Sequence, residues 1–143
     1  MSDPELVTPK LVMSFDFGMK KIGVAVGQTI TRTATPVRVL TARDGTPDWQ
    51  MVAVLIKEWN PDHLVVGLPL NMDDSQSEMS IRAERFARRL TGRFNIPHST
   101  VDERLSSVEA REYANRGEPV DAIAAKLILE TWFRQPGSNV ERH

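Results

Sequence analysis

Three short apolar runs crowd into the first forty residues, and they constrain this chain more than any other feature: Leu11–Phe15, Ile22–Val26 and Pro36–Leu40. Runs of this length, broken by glycine, read as buried strands. Gly18 ends the first, and Gly23 and Gly27 bound the second. Residues 18–21 suit a hairpin loop. Pro36 is expected at the start of the third strand, where its missing N–H is tolerated.

The pattern then alternates. Thr46-Pro47-Asp48 reads as a helix start, with a cap, a proline at the first helical position and an acid in the first turn. Trp49, Val52, Leu55, Ile56 and Trp59 recur at helical spacing, and Asn60-Pro61 ends the helix. His63–Gly67 is the fourth strand, and a polar loop covers Asn71–Ser77. Met79, Ala83, Phe86, Ala87, Leu90 and Phe94 mark a second helix, with Arg82, Arg85, Arg89 and Arg93 on a different stripe. His98–Glu103 is the fifth strand. Ser106 and Glu109 form a capping-box pattern for a short helix that stops at Gly117. Glu118-Pro119 opens a last helix ending near Phe133. Residues 1–10 and 135–143 read as flexible tails around a single domain over 11–134. This order implies an α/β fold: a mixed five-stranded sheet, three antiparallel strands first, with about four helices on its two faces. RNase H-like domains share the order, as do the halves of sugar-kinase and actin-like ATPases. An ATPase of that kind needs two domains to enclose its nucleotide, and this chain reads as one.

Composition narrows the chemistry. The chain has no cysteine, so disulfides and thiolate metal sites are excluded. A metal would be held by oxygen or by one of three histidines. The histidines lack paired-ligand spacing, and none is assigned to a metal. Oxygen donors suit hard cations such as Mg²⁺. The opening MSDPELVTPK is not a signal peptide, and no apolar run nears the roughly 20 residues that span a bilayer. A cytoplasmic protein with no membrane partner is the expectation. The formal net charge of −1 speaks against a dedicated electrostatic nucleic-acid binder. The charges are segregated, however: residues 82–93 hold five arginines against the single acid Glu84.

Asp16 closes the first strand, and ligand sites in open α/β sheets favour the carboxyl ends of strands. The alternative is a turn aspartate that bonds its own backbone. Asp121 lies in the first turn of the last helix, on the same face as Ala124, Ala125, Ile128 and Trp132. A favourable helix dipole explains an acid in that turn but not one on the face to be buried, where a charge needs a partner or a metal. Asp102 and Glu103 point to opposite faces of their strand, and periodicity does not choose between them. The loop over 67–77 precedes a helix whose free N–H groups suit an anion, and Asn71, Ser75 and Ser77 could add donors. On spacing alone it is an ordinary capped loop. Lys20 and Lys21, beside Asp16, could neutralise a phosphate, although such turn lysines are more often solvated. The arginine stripe is either a solvated face or a basic groove. Trp49, Trp59 and Trp132 occupy apolar helical positions and read as core.

Four segments, taken together, resemble the YqgF family: DFGMKKIGVAVG at 16–27, GLPLNMDDSQS at 67–77, DERLSSVEA at 102–110 and VDAIAAKLILETW at 120–132. They stand in order and cover most of residues 11–133. The resemblance implies an RNase H-like fold related to RuvC, and a nuclease that hydrolyses phosphodiesters with Mg²⁺ or Mn²⁺. It implies Asp16, Glu103 and Asp121 as the catalytic, metal-holding carboxylates, which leaves Asp102 a supporting acid. Lys20, Lys21, Asn71, Ser75 and Arg104 would position phosphates. Asp74 stands where the family often has Gly, and Lys21 where Arg is common, without Arg's bidentate fork. The substrate implied is structured RNA, through maturation of the 5′ end of pre-16S rRNA, or alternatively a four-way DNA junction cut by a symmetric dimer. A non-catalytic ribosome-assembly or nucleic-acid-binding module on the same fold is a third reading. Either a monomer or a homodimer is compatible with these features.

Overall fold

The hairpins expected from the first three apolar runs are present and longer than their apolar cores. A computed structural model describes residues 6–7, 10–69, 73, 77–102, 120–135 and 140–141. Its elements are β1 (Leu6–Val7), β2 (Leu11–Asp16), β3 (Lys21–Gln28), β4 (Thr33–Arg43), β5 (Thr46–Pro47), α1 (Trp49–Trp59), β6 (His63–Leu68), α2 (Glu78–Phe94), β7 (His98–Asp102), α3 (Val120–Arg134) and β8 (Val140–Glu141). The main sheet has the order β5-β4-β3-β2-β6-β7. β2, β3, β4 and β5 pair antiparallel, whereas β2, β6 and β7 run parallel. The mixed sheet is therefore as expected, with a sixth, two-residue strand added at one edge. The short helix expected over 106–117 lies outside the described residues.

Several expectations are corrected. Thr46–Pro47 does not start a helix; it forms β5, pairing with Ala42 and Arg43. Asp48 is itself the cap of α1, its carboxylate accepting from the Gln50 N–H at 3.0 Å. A proline signals a helix start only if no strand claims it first, and the Asp44-Gly45 turn lets one do so. Both turn residues have positive φ, 51° and 80°, as a type I′ hairpin requires. Pro36 lies within β4, beside a bulge where Val24 pairs with Arg38 and Ala25 with Pro36; a bulge accommodates its missing donor. Trp59 is 37% exposed rather than core. Leu6–Val7 and Val140–Glu141, from the two expected tails, pair antiparallel as a separate ribbon.

Alternation along β2 divides the core in two. Met13, Phe15 and Phe17 join Ile22, Val24, Leu64 and Val66 under α1 and α2. Val12 joins Val65, Val101, Ile128, Leu129 and Trp132 under α3. All six residues of β6 are buried, as befits a parallel strand covered on both faces. Phe86 of α2 centres the first half, its ring 5.6 Å from Phe15, 5.3 Å from Phe17 and 5.9 Å from Trp49. Among the described residues no helix is long and apolar enough to cross a membrane.

Candidate active site at the carboxyl edge of the sheet

Because β2, β6 and β7 are parallel, their carboxyl ends share one edge, and Asp16 stands there at the end of β2. Its face follows from register. Ser14, two residues earlier, is fully buried and donates its hydroxyl to the Ala125 carbonyl of α3 at 2.6 Å. Asp16 therefore belongs to the α3 face. Opposite it on β3 is Gly23. On the other side, one step beyond the pair Phe15–Val66, comes Gly67 of β6. The half-buried carboxylate thus has a residue without a side chain as neighbour on each flanking strand. Strand glycines often mark such close approach; the sequence pattern alone had made them look like strand boundaries.

The helix α3 runs against β2. Ser14 meets Ala125, and Val12 packs in one cluster with Leu129. Two strand residues and one helical turn cover similar rises, so the turn of α3 that carries Asp121 stands level with Asp16. The Asp121 side chain lies outside the described residues, as do Glu103, Asn71, Ser75 and Arg104. Among the described residues no three His, Asp or Glu side chains gather as a metal site. Of the three expected ligands, only the Asp16 side chain is among these described residues.

Alternation separates Asp102 from Asp16. Ser99 hydrogen-bonds His63 and Val101 packs beneath α3. His98 bonds Thr91 of α2. The even-numbered positions of β7 thus face α2, and Asp102 is one of them. Lys21 pairs with Thr41 two residues before Gly23, which puts it on the Asp16 face; Lys20 precedes it in the loop, and both lysines are exposed. His63 and His98 open their strands, at the opposite edge. Burial pushes the His63 pKa down to about 4. His98 is also lowered, by burial and then by the Arg88 charge. Ser14 was not singled out from sequence; a serine amid the apolar Leu11–Phe15 was the available signal.

The model of the family described as RuvX, Holliday junction resolvase, matches residues 10–135. The chain belongs to this family. A relative from Azotobacter vinelandii, provisionally named a pre-16S rRNA nuclease, is 55% identical over 135 residues, covering 89% of this chain and 95% of its own length. One from Pseudomonas fluorescens strain Pf-5, with the same name, is 54% identical over 133 residues, covering 87% of this chain and 92% of its own. The fold is similar to that of T. thermophilus RuvC, solved in complex with a Holliday junction substrate, with a TM-score of 0.60 and 16% identity. That likeness covers 92% of this chain and 99% of the other. The motifs thus lead to the right family, the fold is that of RuvC-type RNase H-like resolvases, and the chain is a hydrolase of nucleic acids. Membership also removes the actin-like ATPase reading.

Proposed function

We propose that this RuvX-family chain is an endonuclease that hydrolyses phosphodiesters at the Asp16 edge, and that it matures the 5′ end of pre-16S rRNA. One observation carries the site: Asp16 stands between Gly23 and Gly67, level with the turn of α3 that holds Asp121. The names of the relatives support the substrate.

A hard divalent cation fits the donor chemistry, since the candidate ligands are all carboxylates and the flanking glycines leave room. Asp16, Glu103 and Asp121 would hold Mg²⁺ or Mn²⁺, which when bound supplies Lewis-acid activation of water and of the scissile phosphate. The remaining work falls to the chain. Asp16, on a strand paired on both sides, gives the site a rigid reference point. The Ser14 hydroxyl pins α3 to that strand and so sets the height of the Asp121 turn. Lys21, on the same face, draws a phosphate toward the carboxylates, and Lys20 extends that charge into the loop. Asn71, Ser75 and Arg104 would hold flanking phosphates. Asp102, on the other face, is outside the ligand set.

The test is cleavage of a 5′-extended 16S precursor RNA in Mn²⁺ by the wild type and by Asp16→Asn, with a four-way DNA junction in parallel. The reading predicts RNA cutting by the wild type alone. Paired symmetric nicks in the junction, with intact RNA, would replace it with the resolvase reading. No cutting of either by a folded, metal-loaded wild type would reject the nuclease and favour a binding module.

A further inference from the structure

The arginines of α2 do three different things. Arg93 lies over the Trp49 ring, 4.2 Å from its centre. Arg88 turns toward β7, beside His98 and Thr100. Arg82, Arg85 and Arg89 line a cleft of about 120 Å³ whose other wall is the Asp44-Gly45-Thr46 turn. Its floor is Phe17 and Phe86, with ring centres 5.3 Å apart. Arg82 reaches Glu78 at 3.4 Å. Arg85 and Arg89 are exposed and make no ion pair among the described residues.

The cleft is built rather than incidental. A Cβ at Gly45 would stand 2.7 Å from the Phe17 ring, and the φ of +80° there also favours glycine. The Gly45 N–H donates to the Met19 carbonyl at 2.9 Å, and the Ala42 N–H to that of Lys20 at 2.7 Å. The turn and the loop after Asp16 are thereby tied together. Phe17, on the cleft floor, directly follows Asp16 in the chain. The cleft opens on the α2 face and Asp16 on the α3 face, with the Lys20 loop between them at the same edge.

We propose that this cleft binds a backbone phosphate of the RNA strand flanking the cleaved bond, with Arg85 and Arg89 as its ligands. Guanidinium groups bind phosphate with directed, charge-assisted bonds, and an apolar floor weakens the screening of that attraction. Asp44 on the facing wall directs the anion to the arginine side. A strand held there crosses the Lys20 loop to reach Asp16, so the chain grips its substrate on both faces of the sheet. The inference rests on the nuclease reading for the identity of the strand.

Binding is measured without turnover, by fluorescence anisotropy of a labelled single-stranded RNA spanning the pre-16S 5′ junction against the Asp16→Asn protein. Arg89→Ala and Arg88→Ala, added separately, remove the same charge from adjacent exposed positions. Arg89→Ala should weaken binding ~5–10-fold and lower the log–log salt slope by about 0.7, the value for one phosphate contact on a single strand. Arg88→Ala should stay within ~2-fold, and Arg85→Ala/Arg89→Ala should lower the slope by about 1.4. Equal effects of Arg88→Ala and Arg89→Ala, or none from either, would overturn the subsite. Failure of the nuclease reading shows separately, as RNA bound but never cut by the wild type.

Discussion

The two edges of the sheet treat an ionisable group in opposite ways. At the amino edge of β6, His63 is 1% exposed, stacked on Trp132 with ring centres 5.2 Å apart, its Nε2 engaged with Ser99 at 2.8 Å. Its Nδ1 is buried without a hydrogen-bond partner among the described residues, and burial holds the ring neutral. At the carboxyl edge, Asp16 is half-buried between two glycines. Large side chains close the first edge, whereas at the second the residues flanking Asp16 on β3 and β6 are glycines. Burial has made His63 a packing residue, while Asp16 stays half-buried at the end of its strand. The two polar residues thus differ in what surrounds them: aromatic and hydrogen-bonding side chains around His63, glycines on the strands beside Asp16.

Asp16→Asn should bring out the contrast most strongly. It removes a charge but little volume, so RNA cleavage in Mn²⁺ should fall by more than ~10³-fold, over 4 kcal/mol of barrier, while the melting temperature is kept. Substantial residual cleavage would break the assignment of the carboxyl edge to chemistry. At the other edge, Trp132→Ala should act on stability alone, costing about 3–5 kcal/mol in urea unfolding. A change of less than ~1 kcal/mol would show that the amino edge is not the packed anchor described.

The pH dependence separates the edges next. The folded chain disfavours protonated His63, so below pH 6.5 the unfolded chain takes up the proton first. Stability present above pH 6.5 should be lost as the pH falls toward 4, on the order of 3 kcal/mol for a shift of this size. His98 shifts in the same direction and adds to the loss. In His63→Leu the slope of unfolding free energy between pH 6.5 and 4 should be shallower, and an unchanged slope would contradict the buried neutral ring. The smallest effect is expected for Ser14→Ala, about 1 kcal/mol from one lost hydrogen bond. Cleavage should fall by more than that loss of stability explains, because α3 is no longer pinned level with Asp16. Unaltered kcat would sever the link between that bond and the site.

Much of this was legible in the chain. Hydrophobic periodicity located β2, β3, β6, α1, α2 and α3 because each buries a face whose repeat matches its own geometry. Strand β5 was misread because Thr-Pro-Asp is a good local helix signal, and only pairing with Ala42 and Arg43 overrides it. Trp59 was misplaced because spacing shows that a residue shares a stripe, not how far that stripe extends into the core.

By itself the sequence determined the order of the elements, the position of Asp16 at a strand end and, through four motifs, the family. Those are matters of local pattern and of residues read along one line. Tertiary structure decided which faces Asp16 and Asp102 occupy: they are parted by the parity of strands that are distant in sequence. It also decided that the arginine stripe splits into a Trp49 contact, made by Arg93, and a cleft wall of Arg82, Arg85 and Arg89. Register between strands, and the side chains that meet across a layer, are set by long-range packing, and no window of sequence contains both partners.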